Sequence, residues 1–390
     1  MIRLIMLTDF TEAFSHRLLY GILQYSKERQ EQRWVVCRMP PSFKEKHGIK
    51  GVLDWAENWN ADAIVGKFDQ SDDLSLFVQA GIVTLAQDHK QQFDSVPNVT
   101  SDYLATGRMA ADFFLNRDFR SFAFTGYYST IWSDERYKGF RSRIFSINPD
   151  CQFSAFFDYN ADQPWEPDDS KLMQWLRSLP RHTAIFCCDD RQGSMVLEAC
   201  NEAGINVPSE IAVLGVDNDE LRDELCEPTL SSVNLDIERG GYELAEMIEN
   251  IKICHARHQK DVIIPNLSIV SRASTNTFAT DDPYIQKAID FIHGHLEHAI
   301  CVNDLLQHLP LSRRLLEIKF KQATGSTIHD YIITNRLNLF ASALLESSRP
   351  IKEIALDLSF ENYGNLIRLF RQEKGCTPTE YRTRNKRMNK

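Results

Sequence analysis

Acidic and amide side chains recur at the ends of apolar runs in this chain: Thr8-Asp9, Ser101-Asp102, Asp189-Asp190 and Asp217-Asn218-Asp219. Carboxylates and amides pair well with the hydroxyls and amines of small polar molecules, so a cluster of them suits a ligand pocket. Catalysis is not indicated. No Gly-x-Gly-x-x-Gly follows the first strand, and the chain has no phosphate-binding loop and no Gly-x-Ser-x-Gly turn. A different chemistry occupies the last hundred residues, where two helix-turn-helix patterns run in tandem. The first is Val302 to Leu309, a break at Pro310-Leu311, then Ser312 to Phe320. Ser312 is the expected N-cap, and the residues that open a recognition helix reach base edges, which points to Ser312, Arg313, Arg314 and Glu317. The second runs from Pro350 through Leu358-Ser359-Phe360 to a helix starting around Glu361 to Asn365. Asn362, Tyr363 and Asn365 are expected to face DNA, since asparagine pairs with adenine as arginine does with guanine. Arg368, Arg371 and Lys374 are expected at phosphates or on the helix surface.

The elements that must position these groups alternate. Strands are expected at Ile2–Leu7, Trp34–Met39, Asp62–Val65 and Ile82–Leu85, with a helix from Glu12 to Arg29. The rhythm restarts near residue 120. Strands are expected at Phe122–Gly126, Phe153–Phe157, Ala184–Cys188 and Ile211–Val216, and helices at Asp134–Ile147, Ser170–Leu179 and Ser194–Ala203. Two such α/β halves imply two lobes of parallel sheet with a cleft at the strand ends. The polar, small stretch Ser271 to Asp282 reads as a linker. The expected division is 1–275 sensor, 276–284 linker, 285–383 all-α DNA-binding domain with tandem helix-turn-helix motifs, and 384–390 a disordered basic tail.

The formal net charge is −10, but it is unevenly spread: residues 301–390 hold 15 Lys+Arg against 9 Asp+Glu, and residues 1–300 hold 29 against 45. A basic phosphate-binding module joined to an acidic sensor has this asymmetry. The chain shows no signal peptide and no apolar run long enough for a bilayer, so a cytoplasmic protein is expected, without membrane contact. Nine cysteines without Cys-x-x-Cys spacing read as buried free thiols. His293, His295 and His298 read as a solvated helix face, so neither metal nor cofactor is expected.

Several strings carry a family resemblance. Pro350 to Asn365, with Phe370 to Pro378 and Tyr381-Arg382, resembles the signature of the AraC/XylS transcription regulators. Ser359 departs from it where glycine is usual, and Leu366 where an aromatic is usual. Val207 to Asn218, Pro228 to Val233, Asp134 to Phe140 and Ala184 to Asp190 resemble the LacI/GalR effector domain. That resemblance covers most of residues 2–272 and implies a two-lobed periplasmic-binding-protein-like fold, with crossovers near residues 117, 232 and 259. A LacI-like sensor ahead of an AraC-type head is the layout of bacterial xylose operon regulators. The similarity includes Trp132 ahead of Glu135-Arg136, and it implies D-xylose as the leading ligand. By position in the family pattern, Arg136, Asp189 and Asp217 are the first candidates for sugar contact. Glu135, Asn218 and Asp102 come next, then Asp9, Phe10, Phe14 and Trp132. The alternative for each acid is an ordinary strand-end turn or helix N-cap, with ligand contact the favoured reading for Asp189 and Asp217. The implied partners are operator DNA, a sugar, a second copy of the chain and RNA polymerase, for an activator. Another pentose, a hexose or a small polar metabolite stays open as effector, as does a phosphorylation-driven response regulator.

Overall fold

The computed structural model describes residues 1–29, 33–117, 119–158, 169–254, 260–276, 280, 282–324, 326–346, 349–360 and 362–388. By contacts the chain divides into two units: residues 1–114 with 121–275, and residues 115–120 with 276–390.

The first unit has two lobes. Lobe one opens with β1 (Ile2–Leu7), α1 (Ala13–Glu28), β2 (Trp34–Met39), α2 (Pro41–Asn58), β3 (Ala63–Lys67), α3 (Ser75–Gln79), β4 (Val83–Gln87), β5 (Asn98–Ser101) and α4 (Tyr103–Leu115). Lobe two follows with β6 (Ser121–Tyr127), α5 (Ile131–Ile147), β7 (Gln152–Asp158), α6 (Asp169–Ser178), β8 (Thr183–Cys187), α7 (Asp190–Ala203), β9 (Ile211–Val216), α8 (Glu220–Leu225) and β10 (Ser231–Leu235). The chain then returns to lobe one as α9 (Ile237–Cys254) and β11 (Val262–Ile264), and crosses back as β12 (Asn266–Val270). The two six-stranded sheets have the orders β11-β5-β4-β3-β1-β2 and β12-β10-β9-β8-β6-β7. Every pairing is parallel except that of β12 with β10. Helices cover both faces, which is why central strands such as β6 and β9 are buried at every residue and read as unbroken apolar runs.

Two expectations about this unit need correction. The second and third crossovers lie at Asp236 and Pro265, not near residues 232 and 259, and residue 259 is outside the described residues. Ser231 to Leu235 is needed as a full strand, and the two crossings run side by side, with Asp236 N–H donating to the Pro265 carbonyl at 2.9 Å. Helices α5 and α7 also begin about a turn earlier than expected, at Ile131 and Asp190.

The unit ends in a short 3₁₀ turn, Ala273–Thr275, whose Ser274 and Thr275 are fully buried. Ser274 donates to the Val213 carbonyl at 2.6 Å and accepts from Ser231 N–H at 2.8 Å, so the first residues of the polar stretch are packed onto lobe two.

The second unit is all helix: α10 (Pro283–His293), α11 (Val302–His308), α12 (Arg313–Thr324), α13 (Ile328–Glu346), α14 (Ile351–Asp357), α15 (Tyr363–Lys374) and α16 (Pro378–Met388). It starts at Pro283, because Asp282 caps α10 by accepting from Tyr284 N–H at 3.0 Å and proline suits the first turn. Two small cores form. Ile289, Leu305, Leu316 and Phe320 anchor one, and Phe340, Ile354, Leu366 and Phe370 the other. The connecting helix α13 feeds both, with Ile328 and Ile332 in the first and Leu337, Phe340 and Leu344 in the second.

Other expectations fail here. Arg384 to Met388 continue α16 instead of forming a disordered tail. Leu315 is 42% exposed, and the buried face of α12 is made by Leu316, Phe320 and Thr324. His293 is not solvated: its Nε2 meets the Tyr331 hydroxyl at 2.9 Å, and burial depresses its pKa to about 4. Among the described cysteines Cys301 is exposed, so not every thiol is buried; Cys254 lies outside the described side chains.

Candidate ligand cleft and nucleic-acid interface

Arg136 is the centre of the candidate site. It stands on α5, one face of which touches α4 so closely that a Cβ on Gly107 would lie 2.2 Å from the Arg136 carbonyl. A Cβ on Gly139 would lie 2.3 Å from the Leu104 carbonyl. The two glycines thus bring the α4 and α5 backbones into contact and fix where the arginine stands. Its side chain is 3% exposed. Nη1 donates to the Cys188 carbonyl at 2.5 Å, and Nη2 lies 3.6 Å from Asp217 Oδ1, an ion-pair distance too long for a hydrogen bond. The guanidinium carbon sits 5.3 Å from the Tyr103 ring centre and 5.5 Å from that of Trp132.

Around it the carboxylates are held above their ordinary range. Burial pushes Asp189 up to about 6, with the Asp217 charge adding to the effect and the Gln192 N–H opposing it. Burial also raises Asp217, against the pull of Arg136 and Arg17. Asp217 and Asn218 both have positive φ, 101° and 51°, so this turn departs from ordinary strand geometry where it meets the cleft. Arg136 Nε and Asp217 Oδ1 are buried without hydrogen-bond partners among the described residues. An unpaired buried polar atom costs about 1–3 kcal/mol, so such atoms mark where a polar ligand supplies the missing bonds.

The other expected contacts divide. Trp132 packs edge-on to Tyr127, with centroids 5.6 Å apart, and lies beneath Arg136. Glu135 is raised by desolvation, and it senses Asp88 and Asp102. Phe10 sits between His16 and Arg38, 5.8 Å from the latter's guanidinium, and Phe14 is half-buried in the first turn of α1. Three residues spend a side-chain oxygen on other groups of the protein. Asp9 Oδ1 accepts from Thr11 N–H and hydroxyl, both at 2.8 Å. Asp102 Oδ1 caps α4 through Ala105 N–H at 2.8 Å. Asn218 Oδ1 accepts from Arg272 at 2.8 Å. Asp189 does both jobs: one oxygen caps α7 through Gln192 N–H at 2.8 Å.

Several participants were not foreseen. Asp88, just past β4, accepts from Tyr103 at 2.7 Å and Thr100 at 2.6 Å, and faces Arg136 electrostatically. Arg17 of α1 joins the lobes. Its Nη1 donates to the Asp217 carbonyl at 2.6 Å, Nη2 to the Leu235 carbonyl at 2.9 Å, and Nε to Glu238 at 2.6 Å. The available signal was a cation on the apolar side of α1, immediately before Leu18 and Leu19. Neighbouring Asp190 is structural. It accepts from Ser232 at 2.6 Å and from Asp219 N–H at 2.8 Å, in space left by Gly215, where a Cβ would lie 2.1 Å from its carboxylate.

In the helical unit, Ser312 accepts from Leu315 N–H at 3.3 Å and starts α12. Arg313, Arg314 and Glu317 are exposed on it, with Arg313 and Glu317 paired at 2.9 Å. In the second motif Asn362 caps α15 through Asn365 N–H at 2.9 Å. Asn365 and Arg368 are exposed and bonded to each other at 2.9 Å, while the Tyr363 ring packs on the core. Glu361 lies outside the described residues. Lys374, expected at a phosphate or on the helix surface, donates to Asn338 of α13 at 2.6 Å in an exposed contact. Ser359 adopts φ 54°, the conformation for which glycine is the usual choice. Arg336, unremarked in the sequence, holds that turn. It donates to the Leu358 carbonyl at 2.6 Å and the Ser359 carbonyl at 3.2 Å, and its guanidinium carbon sits 4.3 Å from the Phe360 ring centre.

A two-lobed binding fold with a polar cleft, joined to paired helix-turn-helix motifs, defines a ligand-gated transcription regulator. Comparison agrees. Residues 111–275 match the periplasmic binding protein-like domain, and residues 305–384 a helix-turn-helix domain. The chain is 28% identical to the xylose operon regulatory protein of Haemophilus influenzae over 387 residues, covering 97% of this chain and 98% of that one. Its last part is 33% identical over 100 residues to the regulatory protein SoxS of Salmonella typhimurium, covering 26% of this chain and 94% of SoxS. A solved xylose-binding transcription activator shares the fold, with a TM-score of 0.63 at 23% identity over 98% of this chain and 97% of that one. Over nearly its whole length the chain is similar to xylose operon regulatory proteins, and it joins a periplasmic binding protein-like domain to a helix-turn-helix domain.

Proposed function

We propose that this regulator responds to D-xylose, bound between the lobes by Arg136, Asp189 and Asp217. The observation that carries the reading is the cluster of buried, under-bonded polar atoms around Arg136, beside carboxylates raised by burial. A pyranose offers hydroxyls around its rim to these groups and a weakly apolar face to Trp132. The names of the relatives favour xylose over other aldoses.

Sugar closes the lobes, and closure changes how paired heads engage two half-sites in operator DNA. The sugar must bind the competent state more tightly for this to happen. The protein acts in the cytoplasm as a dimer formed through the sensor, as an activator touching RNA polymerase, and it works by binding, not by catalysis. No described helix is long and apolar enough to cross a membrane.

The test is thermal unfolding against a panel of aldoses. Xylose at about 100 times its dissociation constant stabilises the sensor by about 2.7 kcal/mol, a shift of a few degrees. A shift with another sugar alone replaces the ligand and keeps the architecture. No shift with any sugar overturns the reading.

A further inference from the structure

Tyr127 and Gln192 carry buried polar atoms to which nothing above assigns a role. Tyr127 closes β6 and Gln192 stands in the first turn of α7, so both lie at the carboxyl-end mouth of the second sheet. Tyr127 is 5% exposed and Gln192 1%. The Thr125 hydroxyl donates to Gln192 Oε1 at 3.0 Å, which orients the amide and turns Nε2 away from Thr125. Neither that Nε2 nor the Tyr127 hydroxyl has a partner at full hydrogen-bond geometry among the described residues, although the Gln192 amide stands near enough to the phenol oxygen to act on it as a donor. The two are neighbours, and both adjoin Asp189. The Tyr127 phenol is pushed up by burial first, then by the Asp189 charge, while the Gln192 side chain opposes the shift. Gln192 N–H is bonded to Asp189 at 2.8 Å, and the Trp132 ring stands edge-on to Tyr127.

A core that needed only volume here would hold phenylalanine and leucine. A hydroxyl and an amide left unpaired at such depth are destabilising, and they sit beside the carboxylate already assigned to the sugar. Their chemistry is complementary to an alcohol. The amide nitrogen only donates, and the phenol donates or accepts, so one ligand hydroxyl can accept from Gln192 while exchanging a bond with Tyr127. Asp189 can only accept when ionised and takes the neighbouring hydroxyl.

We propose that Tyr127 and Gln192 form a paired station for one ring hydroxyl of the sugar and set which hydroxyl pattern the sensor accepts. This rests on the sugar reading above. Sites built to bond a hydroxyl reject the analogue that lacks it, because the protein groups are then left unpaired.

The experiment is calorimetric titration of the full chain, and of Tyr127→Phe and Gln192→Leu, with D-xylose, its monodeoxy analogues and other aldoses. The parent is expected to bind one deoxy analogue at least about tenfold more weakly than xylose. Each variant should bind xylose about tenfold more weakly, yet bind that analogue as well as the parent does, so that discrimination collapses. Without sugar, Tyr127→Phe should unfold at the parent's temperature or above it, since an orphan group has been removed; Gln192→Leu also costs the Thr125 hydroxyl its acceptor, so the stability criterion is read on Tyr127→Phe alone. Variants that keep the parent's affinity and selectivity overturn the proposal. So does a uniform loss for every sugar accompanied by a lower unfolding temperature, which would make the pair structural. A parent that binds no aldose sinks the sugar reading itself, and this assignment with it.

Discussion

Two buried arginines, one in each unit, are used in opposite ways. Arg336 in the head is 6% exposed and spends its donors on backbone: the carbonyls of Leu358, Ser359 and Leu296, with its plane against Phe360. It ties the loop after α10 to the turn of the second helix-turn-helix, and it neutralises carbonyls at the negative end of α14. Arg136 in the cleft is 3% exposed but makes one close hydrogen bond, rests on two aromatic rings, and leaves Nε unpaired next to an under-bonded Asp217. The first arginine is internally satisfied and serves rigidity. The second is held in place while part of its bonding capacity stays unspent. Equal burial therefore says little about role; where the donors go decides it. The same contrast separates the sites. The head bonds Arg336 internally and displays Arg313, Arg314, Asn365 and Arg368 outward, as a surface that reads DNA must. The cleft concentrates unpaired atoms inward, as a pocket for a polar molecule must.

The comparison predicts different outcomes for similar substitutions. Arg336→Ala leaves buried carbonyls unpaired and should destabilise the head by about 3 kcal/mol, read as a lower unfolding temperature for that unit and lost operator binding. Arg136→Ala should weaken sugar binding by about 2–3 kcal/mol, read by calorimetry, with a far smaller effect on unliganded stability. If the sensor unfolds instead, the contrast is wrong.

Acid should move the two units in opposite directions. Asp189 has its pKa raised to about 6 in the fold, so the folded sensor binds more protons and gains stability as pH falls through 6 toward 4. His293 is depressed to about 4 by burial, so the head loses stability as pH falls from about 6.5 toward 4. Each effect is on the order of 2 kcal/mol, and scanning calorimetry across pH 4–7 resolves their signs. Sugar affinity should also fall below pH 6, as Asp189 loses its charge and becomes a poorer acceptor. Arg314→Ala should weaken operator binding by about 1–2 kcal/mol and leave sugar binding untouched, as measured by fluorescence anisotropy over a salt series. Smallest of all, Ser359→Gly should stabilise the head by about 1 kcal/mol by relieving the left-handed backbone at φ 54°.

The sequence by itself determined the α/β alternation, the two lobes and the tandem helix-turn-helix, because apolar periodicity and a cap such as Ser312 are local signals carried within a few residues. It also pointed to Arg136, Asp189 and Asp217, through strings that resemble a family. Tertiary structure alone decided what those residues are joined to. Asp88, Arg17 and Gln192 lie far from Arg136 in sequence, and only the crossing of α4 over α5 and the return of the chain at Asp236 and Pro265 gather them. Likewise it is the fold that gives Asn218 its bond to Arg272, 54 residues away. A carboxylate or amide at a strand end carries the same letter whether it caps a helix or awaits a ligand. Which it does depends on the donors that distant segments bring within about 3 Å, and hydrogen-bond reach of that kind is a property of three-dimensional packing.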